Sequence, residues 1–457
     1  MKSSRRTFLT QSAGVSAGFL GLNRYLSAAD ASGKEGFSYG ELIPDPKEIL
    51  DLPKGFSYKV ISTFEDPMDD GYKVPGQPDG MAAFAIDNDR LVLIRNHEIG
   101  HSYFQKGPFE NNTRLPEGFD ASMSYDPGRF NAQPFLGGTS NIVYNTKTGK
   151  VEKEFLSLTG TDRNCAGGPT PWNSWITCEE PADMTSKWGQ VHGYCFDVPA
   201  SAEPGLAKPE PIKAMGRFRH EAIAVDPDTD IIYQTEDRND GVIYRMLPKE
   251  RKNPLAGGTL QALKIKSDKA LDTRNWPGGK GGPFPIGQRI ATEWVDLDDV
   301  ESPDDTLRFQ AIEKGAAIFS RGEGMWYGSV EQVGDSSIYW ACTDGGKNRS
   351  GQIFRYFPGE NGADGEVELY LEPNNTDLLK NGDNITISPS GHLYICEDTA
   401  GAHMRGVSKE GDFFTFGRYA GKSKSEFAGA CFSPDGSTMF VNLQSNGLTL
   451  VVTGPFV

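Results

Sequence analysis

The stretch NCAGGPTPWNSWITCEE, Asn164 to Glu180, puts a thiol near one end of a Gly/Pro-rich turn and two acids at the other end. Apolar runs on both sides of such a turn read as an antiparallel hairpin, which brings its first and last residues side by side. Five other stretches share the plan: DGMAAFAIDNDRLVLIRNHE (79–98), HEAIAVDPDTDIIYQTED (220–237), GEGMWYGSVEQVGDSSIYWACTD (322–344), DNITISPSGHLYICED (383–398) and AGACFSPDGSTMFVNLQ (428–444). Each opens on a polar or metal-capable residue, turns through Asp, Pro, Ser or Gly, and closes on a polar or acidic end. Self-similarity of this kind marks a repeat architecture.

Less apolar strand pairs lie between the hairpins, as in NIVYNTKTGKVEKEFLSL (141–158), GQIFRYFPGENGADGEVELYLE (351–372) and GVSKEGDFFTFGRY (406–419). Two inner and two outer strands make a four-stranded antiparallel blade, and six blades set radially make an all-β, six-bladed β-propeller. The last hairpin is followed only by LTLVVTGPFV (448–457), and the early strand GFSYKVISTF (55–64) has no partner of its own. Pairing the two closes the ring. The expected unit is one propeller domain over residues 40–457. Long Gly-, Pro- and charge-rich loops inserted near 100–135 and 248–310 interrupt the repeat without belonging to it.

The composition agrees with an all-β chain: 54 Gly, 29 Pro and 11% aromatics among 457 residues. A formal charge of −16 argues against nucleic acid and anionic membranes as partners and favours cations. The N-terminus carries twin arginines, Arg5 and Arg6, then Phe8 and Leu9, a weakly apolar stretch, and Ser27, Ala28 and Ala29 at a cleavage position. Residues 1–29 thus read as a twin-arginine signal peptide. Removing them takes away Lys2, Arg5, Arg6 and Arg24 and leaves a mature chain at −20. No later run has the length of a membrane span, so the expected location is periplasmic or secreted. Cys178, Cys342 and Cys396 end apolar strands in WITCEE, YWACTD and LYICED, where they read as small buried side chains.

In a propeller the inner strands line a central tunnel, so the hairpin ends ring one mouth. The entrances carry Asp79, Cys165, Glu221, Glu323, Asp383 with Asn384, and Gly429. The exits carry Glu98, Glu179 with Glu180, Glu236 with Asp237, Asp344, Glu397 with Asp398, and Gln444, and Asp240 follows the third. Close carboxylates repel by several kcal/mol per pair where water is scarce, and oxygen-bound calcium relieves this. A thiolate suits iron, zinc or copper better than calcium. The rim therefore reads as a mixed metal site.

With the leader, the motifs NCAGGPTPWNSWITCEE, RHEAIAVDP, RGEGMWYG, DGGKNRSGQIFRY, DNITISPSGHLYICED and GACFSPDGSTMFVNLQ resemble the PhoX-type alkaline phosphatases over roughly residues 40–450. The resemblance implies a six-bladed propeller, twin-arginine export, and phosphomonoester hydrolysis at a cluster of iron and calcium. It implies Cys165, Glu180, Glu221 and Glu323 as ligands of an iron-containing core. It implies Glu98, Asp240, Asp383, Asn384 and Glu397 as calcium ligands, and Arg321 as a phosphate-binding group. Glu179, Asp237, Asp344 and Asp398 are neighbours that the sequence does not separate from ligands, and Glu179 and Asp237 are carried with the metal set. The expected partners are a small phosphomonoester and the export machinery, and the expected state is a monomer. Two other readings remain open: a calcium-dependent propeller lactonase or esterase, and a non-enzymatic binding propeller stiffened by calcium. One thiol among many acids favours the phosphatase, because a lone calcium requires neither.

Overall fold

A computed structural model describes residues 37–128, 133–181, 183–184, 189–279 and 282–457. The expected signal peptide, residues 1–29, lies outside the described residues. The chain folds as an all-β, propeller-like ring. Its innermost strands are Pro78–Ala85, Asn164–Pro169, His220–Val225, Gly322–Gly328, Gly382–Ile387 and Phe427–Phe432, the first strands of the six repeated stretches. Each packs on the next in chain order, and Phe427–Phe432 packs back on Pro78–Ala85. The closing pair is the one the sequence indicates: Leu448–Thr453 runs antiparallel to Ser57–Thr63, from Leu448 opposite Thr63 to Thr453 opposite Ser57.

The expectation of six separate four-stranded blades needs correction, because hydrogen bonding draws five sheets of six, three, nine, four and four strands. The segment 248–310 is the reason. Far from standing outside the repeat, it supplies the strands Gly258–Ile265 and Ile290–Asp296. The second of these pairs with Glu366–Leu371 at Ile290–Val367 and Ala291–Glu366, which fuses two neighbouring units into the nine-stranded sheet. The Asn164–Pro169 unit has three strands among the described residues, and the Gly382–Ile387 unit gains Leu50–Pro53 and Leu42–Ile43 at its outer edge.

All six inner hairpins break register at the same place. Pairing slips between Pro78 and Met81, Asn164 and Gly167, His220 and Ile223, Gly322 and Met325, Gly382 and Ile385, and Ala428 and Cys431. A bulge carries an extra residue and re-aims side chains off the regular pleat. The residues inside these bulges begin with Asp79, Cys165, Glu221, Glu323, Asp383 and Gly429, so one backbone irregularity repeated six times turns this set toward the axis. Gly429 holds φ +61°, and a Cβ there would stand 2.1 Å from the Asp79 carbonyl oxygen, so the sixth position admits no side chain. At the level of the inner strands the expected tunnel is narrow. Residues including Met81, Met325 and Trp326 line a cavity of about 20 Å³, room for about one water.

Ring closure has a polar stitch inside it. Arg95 is 1% exposed and donates to Ser62 and Thr449 of the closing sheet at 2.9 and 2.6 Å. It also donates to Ser140 and Glu154 at 2.9 and 2.8 Å. Removing one partner of a buried ion pair strands the other charge. Glu154→Ala should therefore lower unfolding stability by about 3–5 kcal/mol, measured by denaturant melts. A loss below about 1 kcal/mol would show that Arg95 reaches water in the folded ring.

Candidate metal centre

Three groups of metal-capable side chains lie at the bulged end of the axis, each with its ligand atoms within 4.8 Å of one another. The first is Cys165, Glu180 and Glu221, all buried. The second is Glu221, Glu323 and Asp383, and the third is Asp383, Asp398 and Glu426. Glu221 and Asp383 are each shared by two groups, so the three form one continuous chain of donors drawn from five inner hairpins.

Strand alternation decides which acid of each exit pair takes part, because successive side chains point to opposite faces. Glu180, Asp237 and Asp398 face the mouth, and the acids before them turn into the blades. Glu179 Oε1 accepts from Asp162 N and His192 Nδ1 at 2.9 and 2.7 Å, and its Oε2 from Gly193 N and Tyr194 N at 2.7 and 3.1 Å. Glu236 accepts from Val242 N at 3.3 Å and from the Tyr244 hydroxyl at 3.0 Å. Glu397 accepts from Lys380 N, His403 N and Arg405 Nε at 2.9, 3.0 and 3.0 Å. Burial would raise the Glu397 pKa, but His403 and Arg405 outweigh it and hold it below the usual value. Glu179 and Glu397, both expected as ligands, therefore have their oxygens engaged elsewhere, and it is Asp398 that stands with Asp383 and Glu426.

The other expected residues divide by what they touch. Glu98 takes donors from Arg163 and, at 2.8 Å, from Gln444. Asp237 accepts both Arg321 Nε and Nη2, at 2.8 and 3.2 Å. Asn384 donates to Asp383 at 3.0 Å and accepts from Gly429 N at 2.5 Å. Asp344 pairs with Arg349 at 2.5 Å and accepts from Ser320. Asp240 stands apart, a rim acid paired with Arg308 at 3.0 Å.

Sequence reasoning missed Glu426 and two arginines. Glu426 stands three residues before the side-chain-free bulge at Gly429, a position that is acidic in one other repeat, at Asp162 before Cys165. The arginines do carry a signal. Arg163, Arg219 and Arg321 each stand two residues before the bulge ligand, in RNC, RHE and RGE. The equivalent positions Gln77, Arg163, Arg321 and Asn381 share positive φ of 49°, 51°, 45° and 51°. This backbone twist sets Arg163 and Arg321 beside the acids, whereas Arg219 reaches them without it. Arg163 reaches Glu180 at 2.8 Å, Arg219 reaches it at 3.8 Å, and Arg321 reaches Glu323 at 2.7 Å.

Even with these arginines the mouth is starved of positive charge. Burial, then like charge from neighbours, raises the pKa of Asp79, Glu221, Glu323 and Glu426 well above the carboxylate range. Burial and Asp398 push Asp383 up to about 7, and burial carries Glu180 to about 8 against the pull of Arg163. The Cys165 thiol is raised by burial and by Glu221. One oxygen of buried Asp79 has no hydrogen-bond partner. Crowded, desolvated acids and one thiol are the donor set that cations complete. The residues fit a metal cluster.

Beneath the mouth, His192 sits between Glu179 at 2.7 Å and Asp126 at 3.4 Å. Burial would lower its pKa, but the Glu179 charge and the Asp126 hydrogen bond raise it to about 10. The ordinary value is about 6.5. The stabilisation is therefore complete below about pH 6.5 and is lost as pH rises toward 10, on the order of a few kcal/mol. Melts from pH 6 to 10 should show this decline, and His192→Gln should flatten it; an equally steep decline in the variant would place the titrating group elsewhere.

Residues 37–447 match the family model described as alkaline phosphatase PhoX. The fold resembles that of Pseudomonas fluorescens PhoX in complex with vanadate, a transition state analogue. That match has a TM-score of 0.62 and 16% identity, covering 91% of this chain and 97% of that one. A Bacteroides thetaiotaomicron protein of unknown function matches at TM-score 0.43 and 12% identity, over 87% of this chain and 76% of its own. The periplasmic gluconolactonase of Pseudomonas aeruginosa matches at TM-score 0.39 and 12% identity, over 87% and 91%. No curated protein matches the chain by sequence.

Proposed function

The chain belongs to the PhoX alkaline phosphatase family, and we propose that it hydrolyses phosphomonoesters at the acid-lined mouth with an iron–calcium cluster. The carrying observation is the unbroken chain of three donor groups with a single thiol at one end. Cys165, Glu180, Glu221 and Glu323 would hold iron, because thiolate favours a softer ion than calcium. Asp383, Asp398 and Glu426, with Asn384 and Glu98 beside them, would hold calcium through oxygen. Such ions supply charge neutralisation and Lewis acidity toward phosphoryl oxygens.

The chain's own groups bind and orient. A guanidinium presents two parallel N–H donors that match a phosphoryl group, which an ammonium does not. Arg321 is held in plane by Asp237 and Glu323 and is 33% exposed, so it remains within reach of an incoming ester. Arg163 lies on the wall of a cavity of about 540 Å³ that also includes His101, Tyr103, Phe135 and Gln444. This is the size of a small-molecule site. In this reading the phosphoryl group meets Arg163 and Arg321 and the alcohol portion lies against Tyr103 and Phe135.

The same reading counts six radial units, two of them fused, in one domain over residues 40–457. It makes the product a monomer, exported by the twin-arginine machinery to the periplasm or beyond. No helix among the described residues is long and apolar enough to cross a membrane. Assaying p-nitrophenyl phosphate beside a simple lactone tests the function. We expect phosphate release, no lactone opening, and loss of turnover in excess chelator. Lactone opening alone would assign the mouth to a calcium-dependent esterase, and no turnover of either would favour a binding propeller.

A further inference from the structure

A second cluster of metal-capable side chains lies off the mouth, inside the apolar core. Cys178 and Cys195 stand directly opposite each other on the neighbouring strands Ser174–Glu179 and Cys195–Pro199. Their sulfurs are 3.6 Å apart, and Cys195 Sγ is 3.3 Å from His220 Nδ1. All three residues are 0% exposed, and the ligand atoms lie within 4.8 Å of one another. His220 Nε2 donates to the Gly216 carbonyl at 3.1 Å, so the Nδ1 lone pair faces the sulfurs. The ring stacks on Phe218 at 3.6 Å, which fixes its plane. A ring nitrogen aimed by a hydrogen bond from its other nitrogen is the arrangement found around metal-bound histidines.

We propose that Cys178, Cys195 and His220 bind one thiophilic cation of the zinc or cuprous class, as a structural site separate from the mouth. Zinc bonds to sulfur are about 2.3 Å and to nitrogen about 2.0–2.1 Å. An ion at those lengths from donors 3.6 and 3.3 Å apart subtends angles of roughly 100°, close to tetrahedral. Each thiol gives its proton to solvent as the ion enters. Hard cations compete poorly, because the donors grouped here among the described residues are two sulfurs and a ring nitrogen. Cys178 and Cys195 belong to the Asn164–Pro199 unit, whereas His220 begins the next unit's inner strand. The ion would therefore tie together the two units that carry Glu180 and Glu221. The absence of any exposure means that it enters as the chain folds.

The test is elemental analysis with thiol counting on the purified full chain, its Cys165→Ala variant and its Cys195→Ala variant. We expect one zinc- or copper-class ion per chain in the parent and in Cys165→Ala, and loss of that equivalent in Cys195→Ala. The chelated, denatured parent should show all 6 cysteines reactive. If Cys195→Ala fails to fold, Cys165→Ala refolded with cadmium supplies the second readout, an ultraviolet thiolate-to-cadmium band from the buried pair. Four reactive thiols and a mass lower by two hydrogens would reveal a disulfide and overturn the proposal. So would six free thiols with no thiophilic ion, an unchanged ion content in Cys195→Ala, or a refolded protein without the cadmium band.

Discussion

Cys165→Ala is expected to lose iron and phosphatase turnover together, the latter by at least about 100-fold, since even groups one step removed from a metal cost 10–100-fold. The thiol is 5% exposed at the end of the donor chain, beside Glu180 and Glu221. The thiol also has two long contacts to backbone carbonyls, of His220 at 3.5 Å and Glu221 at 3.9 Å, and a hydrogen bond to the Glu221 carboxylate. Deleting a single sulfur costs little packing, about 1 kcal/mol on the scale of small core truncations. The variant should therefore fold and keep its calcium. Elemental analysis and p-nitrophenyl phosphate kinetics on the same preparation give the result. Full iron and full activity would take the thiol out of the mechanism.

Glu221→Gln should have the second large effect, because Glu221 is common to two donor groups. Its loss is expected to lower both iron and calcium content and to cut turnover by about 100-fold or more. The effect on the metal-free protein has the opposite sign. Burial and the neighbours Asp383, Glu180 and Asp79 all oppose charge on Glu221, and glutamine keeps the shape without the charge. The metal-free variant should melt no lower than the metal-free parent. If the metal-free variant melted well below it, Glu221 would be a structural acid and not one kept for cations.

Much of this site was legible because the chain repeats. Six hairpins gave equivalent entrances and exits, and the structure brings Cys165, Glu180, Glu221, Glu323 and Asp383 together from that pattern. The ring closure through 55–64 and 448–457 was legible because each strand was unpaired in sequence. What failed had local causes. Glu179 and Glu397 end their strands, and alternation turns them into the blade, where backbone N–H groups await them. The exit pairs therefore needed parity counting, which selects Glu180 and Asp398. Glu426 was invisible because its hairpin's bulge position is a glycine. The bulges themselves leave no motif, since any residue can occupy them, and the fusion through Ile290–Asp296 rests on two residue pairs at a sheet edge. Arg163 and Arg219 stand two residues before Cys165 and Glu221 just as Arg321 stands before Glu323, so the same spacing makes all three legible.

Anomalous diffraction from crystals grown with iron and calcium present tests the central claim most directly, since it locates each element at the mouth. Iron should give a peak within bonding distance of Cys165 Sγ and of Glu180 and Glu221 oxygens, with calcium density between Asp383, Asp398 and Glu426. A mouth that stays free of anomalous density in an active, metal-replete preparation would contradict the account, because the crowded acids would then serve no bound cation.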